Sequence, residues 1–64
     1  MGIATQALKA RYEADVLVAD YNITNYLENP TAIGEHPHLL EELDKFLDAK
    51  ATALDKLKVL REYE

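Results

Sequence analysis

Asn29-Pro30-Thr31-Ala32-Ile33-Gly34-Glu35-His36-Pro37 contains both prolines of the chain and one of its two glycines. Proline lacks an N–H, fixes its own φ and pushes the residue before it into extended geometry, so Asn29-Pro30 ends any helix that reaches it. Gly34 supplies a position where the backbone can take a positive φ and reverse. Pro37 suits the first position of a following helix, where its missing N–H has no partner to lose. Ile33 is the apolar peg expected to tuck the connection under the helix ends. The rest of the chain, apart from Gly2, is free of both residue types. This punctuation predicts a single domain over residues 1–64, with helix 1 over about 4–28, a loop over about 29–36 and helix 2 over about 37–63.

Upstream of the break, Lys9, Tyr12, Val16, Ala19, Ile23 and Tyr26 follow a three-four spacing, with Leu8 and Leu27 widening the stripe. Downstream, Leu39, Leu40, Leu43, Phe46, Leu47, Ala53, Leu54, Leu57 and Leu60 form a wide apolar stripe interrupted at Lys50. Glu41, Glu42, Asp44 and Asp48 occupy the early turns of helix 2, and Lys50, Lys56, Lys58 and Arg61 the late ones, which complements the helix dipole. Glu41 and Lys45 are spaced for an i,i+4 ion pair. Lys9 and Lys50 fall at seam positions, where a polar residue either sets register or lifts its charge to solvent along an apolar stem. Helices of matched length, joined by one reversal, predict an all-α fold: an antiparallel two-helix hairpin, or helix-loop-helix.

One hairpin leaves apolar surface over. Ala10, Ala14, Leu17 and Tyr21 make a second face on helix 1, and helix 2 carries adjacent pairs at Phe46-Leu47 and Ala53-Leu54. Isolated surface apolar residues are ordinary, but residues repeating at helical spacing predict burial against a second hairpin in a homodimeric four-helix bundle. Its expected interface is Ala10, Ala14, Leu17, Tyr21, Phe46, Leu47 and Leu54. The loop end collects Glu28, Glu35, Glu41, Glu42 and Asp44, and the open end Lys9, Arg11, Lys56, Lys58 and Arg61, diluted by Glu62 and Glu64. Two such rods should lie head to tail, in a two-fold dimer.

Composition narrows the function classes. A chain of 64 residues buries only about 60% of its unfolded surface, and with no cysteine it has neither a disulfide framework nor a thiolate metal site. A formal net charge of −5, from twelve acids against seven bases, argues against coating nucleic acid. There is no run of about 18 apolar residues to span a membrane. The N-terminal residues lack the pattern of a signal peptide, so a cytoplasmic protein is expected and the Asn22-Ile23-Thr24 triplet is read as chance.

Glu35-His36-Pro37-His38 is the one concentrated set of potential metal donors. Two histidines and a carboxylate hold zinc when three donors converge. Pro37 stiffens the intervening backbone, however, which favours His36 as a helix cap and His38 in solvent beside Glu41 or Glu42. No cysteine, serine or glycine-flanked nucleophile is present, and Thr31 reads as a loop hydrogen-bonder, so no catalytic residue and no cofactor are expected. Tyr12, Tyr21 and Tyr26 could stack on bases. Beside Glu13, Asp20 and Glu28, they fit better as seam tyrosines with their hydroxyls at the rim.

The segment Tyr26-Leu27-Glu28-Asn29-Pro30-Thr31-Ala32-Ile33-Gly34-Glu35-His36-Pro37, continued by Leu39-Leu40-Glu41-Glu42-Leu43-Asp44, resembles the loop of small uncharacterised helix-loop-helix proteins of T4-like tailed bacteriophages, including cyanophages. The resemblance covers about a third of the chain. His38 departs from it, standing where an acidic residue is expected. It implies the same hairpin fold and a phage origin, and no particular activity. The expected function is a non-enzymatic interaction protein, a homo-oligomer that binds or modulates another protein through the surface Asn29, Pro30, Ile33, Gly34, Glu35, His36 and Pro37. The alternatives are a metal-responsive module using Glu35, His36 and His38, and an accessory to DNA replication or recombination that works through protein contacts.

Overall fold

A computed structural model of the chain describes residues 2–29 and 38–64. Helix α1 spans Ile3–Glu28 and helix α2 spans Leu39–Leu60, followed by a 3₁₀ turn at Arg61–Tyr63. The start of α1 is held by Gly2, whose carbonyl accepts from the Thr5 hydroxyl at 2.8 Å and from the Gln6 N–H at 3.1 Å. The Gln6 N–H thus makes the first intrahelical bond, and no side chain of the cap residue caps the N–H groups of the first turn. At the other end, Asn29 donates its N–H to the Asn25 carbonyl at 2.9 Å and then leaves helical geometry, with φ −132° and ψ 56°. Pro30 follows directly, as the punctuation requires.

Helix α2 begins two residues later than Pro37 predicts. His38 is its N-cap residue, and its carbonyl accepts the first intrahelical bond from the Glu42 N–H at 2.9 Å. The expected cap, His36, lies outside the described residues. His38 Nδ1 lies 3.1 Å from Glu41 Oε2, so Glu41 is engaged at the helix start. The Glu41–Lys45 pair is accordingly replaced: Lys45 turns to Glu42, one position closer, at 3.5 Å. His38, Glu41 and Lys45 are exposed and Glu42 is half-buried; pairs open to solvent in this way contribute a few tenths of a kcal/mol each.

The helices pack antiparallel. Tyr26 meets Phe46, Asp20 meets Lys50 and Tyr12 meets Lys56, so partners rise along α2 as they fall along α1. The seam takes Thr5, Leu8, Tyr12, Val16, Ala19, Ile23 and Tyr26 from α1, and Leu39, Leu43, Phe46, Lys50, Ala53, Leu57 and Leu60 from α2. All are half-buried except Ala19 and Ala53, which are buried. Five members of the expected stripes are exposed instead: Lys9 and Leu27 on α1, and Leu40, Leu47 and Leu54 on α2. For Lys9 the cause is the mismatch between 3.6 residues per turn and a seven-residue repeat. The row Ile23, Val16, Lys9 drifts out of the seam toward the N-terminus, and Leu8 drifts in.

Three cross-seam contacts fix the pairing. The Tyr26 and Phe46 rings meet edge to face at 5.3 Å and 65°, an arrangement that adds about 0.5–1.5 kcal/mol beyond area burial. Lys56 Nζ stands 5.3 Å from the Tyr12 ring centre, a cation–π contact of about 0.5–1 kcal/mol at an exposed site. Lys50 Nζ reaches Asp20 Oδ1 at 2.6 Å. The lysine in the seam is therefore neither a bare register marker nor simply lifted to water, since it has a cross-helix partner.

Candidate interaction surface

Among the described residues, the only buried apolar side chains are Ala19 and Ala53. Two helices touching along one line enclose little: apart from these two alanines, each seam residue has contacts on one side and solvent on the other. Large apolar side chains remain outside, including Ile3, Leu17, Val18, Tyr21, Leu27, Leu40, Leu47 and Leu54. They are arranged on three faces.

The first face is an open groove along one flank, lined by Asp15, Val18 and Asn22 of α1 and by Phe46, Ala49 and Thr52 of α2. It carries carboxylate, amide and hydroxyl groups beside its apolar side chains, and Asn22 Nδ2 donates to the Val18 carbonyl at 3.1 Å. Phe46 contributes only part of its ring here, because its other side is against Tyr26. The expected interface residue Phe46 thus belongs first to the seam.

The second face lies on the opposite flank, around the Asp20–Lys50 pair. Leu47 and Leu54 are within one turn of Lys50 on α2, and Leu27 is two turns from Asp20 on α1. Leu40 extends the row, giving Leu40, Leu47 and Leu54 at intervals of seven. Leu47 and Leu54 are each 48% exposed, so the hairpin already shields about half of each.

The third face is the back of α1, half a turn round from Ala19. Ile3, Ala7, Ala10, Ala14, Leu17 and Tyr21 lie along it, separated alternately by four and three residues, and none is charged. All six are exposed, Ile3 at 84%, Leu17 at 69% and Tyr21 at 70%. Ala7 and Ile3 extend the row Ala10, Ala14, Leu17 and Tyr21 that the sequence marks as apolar, and the same heptad spacing identifies them.

The other expected sites are only partly placed. Asn29 and His38 are described, and both are exposed. Pro30, Ile33, Gly34, Glu35, His36 and Pro37 lie outside the described residues, as does the convergence on which a metal site would depend. Among the described residues no group of three or more histidine, aspartate or glutamate side chains is placed to hold a metal ion. No helix among them is long and apolar enough to cross a membrane. Comparison with protein-family models, with curated proteins and with solved structures finds no match to this chain.

Proposed function

We propose that this chain is a non-enzymatic interaction protein that acts as a homodimer of helical hairpins, forming a four-helix assembly that binds or modulates another protein. The observation that carries this reading is the contrast between a seam that buries two alanines and the row of large apolar side chains left in water. A helix that is apolar on opposite faces is ordinarily a buried helix, and a 64-residue chain without disulfides gains most from self-association. Charge supports a head-to-tail arrangement. Glu28, Glu41, Glu42 and Asp44 gather toward the loop end and Lys9, Arg11, Lys56, Lys58 and Arg61 toward the open end. The resemblance of the Asn29–Pro37 segment to phage loops supports a phage accessory protein working in the host cytoplasm, with that acidic end as the partner surface.

Sedimentation equilibrium over a concentration series, with helicity followed by circular dichroism on the same samples, tests this. A dimer whose helix content falls on dilution is the expected result. A fully helical monomer at every concentration overturns the homodimer.

A further inference from the structure

We draw no further inference here: the strongest candidate, the uncharged row Ile3, Ala7, Ala10, Ala14, Leu17 and Tyr21 on the back of α1, is an unpartnered apolar face, and nothing in the structure shows what covers it.

Discussion

The two helices are of similar length and composition, yet they solve different problems. Helix α2 is an amphipathic helix in the usual sense: an apolar stripe from Leu39 to Leu60 whose edge residues Leu40, Leu47 and Leu54 stay exposed, acids in its first turn, a lysine in its last, and charged residues on its back. Helix α1 has no acid in its first turn and no base in its last, and its apolar residues occupy opposite sides. One side meets α2 and the other meets nothing in the hairpin. An amphipathic helix needs one partner, whereas a helix apolar on opposite sides needs two, and a two-helix chain offers α1 only one. This difference, more than any single contact, is the observation on which the proposed homodimer rests.

The comparison can be broken most directly at the seam. Ala53→Leu puts three extra carbons where the helices are closest and should destabilise the fold by about 1–3 kcal/mol. Ala51→Leu, on the exposed side of α2, should stay within about 0.5 kcal/mol. Urea melts followed by circular dichroism distinguish them. Equal effects would mean that the seam is not where α1 and α2 touch. A smaller effect is expected at Asp20. Its ion pair with Lys50 is 2.6 Å long, but the side chains keep 44% and 37% of their exposure. Solvent therefore screens it, and Asp20→Ala should cost about 0.5–1 kcal/mol. That cost should vanish in a Lys50→Ala background; if it persists, Asp20 acts other than through Lys50. Smallest of all is Glu42→Gln, which removes the 3.5 Å contact to Lys45 and should shift stability by about 0.3 kcal/mol, less at high salt. A loss several times larger would show that the start of α2 depends on its acids more than the comparison allows.

Some features were legible because they are local. Asn29-Pro30 stops α1 in the chain as it does on paper, since proline's geometry acts on the residue before it wherever it is placed. The stripes through Tyr12, Ala19 and Tyr26, and through Leu43, Ala53 and Leu57, appear at the seam because a helical period is a property of the backbone. The second face of α1 could be read for the same reason. Lys9 and Leu8 could not be told apart. Both lie on the edge of the stripe, and which one turns inward depends on how the row drifts against a particular partner. Glu41 was likewise assigned to Lys45 on spacing, with no knowledge that His38 would come to lie 3.1 Å away.

By itself, then, the sequence determined two helices, one reversal, the absence of a thiol framework and an apolar surplus on α1. Each follows from residue chemistry and backbone period, which act over a few positions. Only the tertiary structure decided that Tyr26 meets Phe46, that Lys56 covers Tyr12, that Lys50 is answered by Asp20 and that Ala19 and Ala53 are the points of burial. These are choices of phase between two helices. An isolated helix presents all its faces equally, and a partner must be in place before one of them becomes the inside.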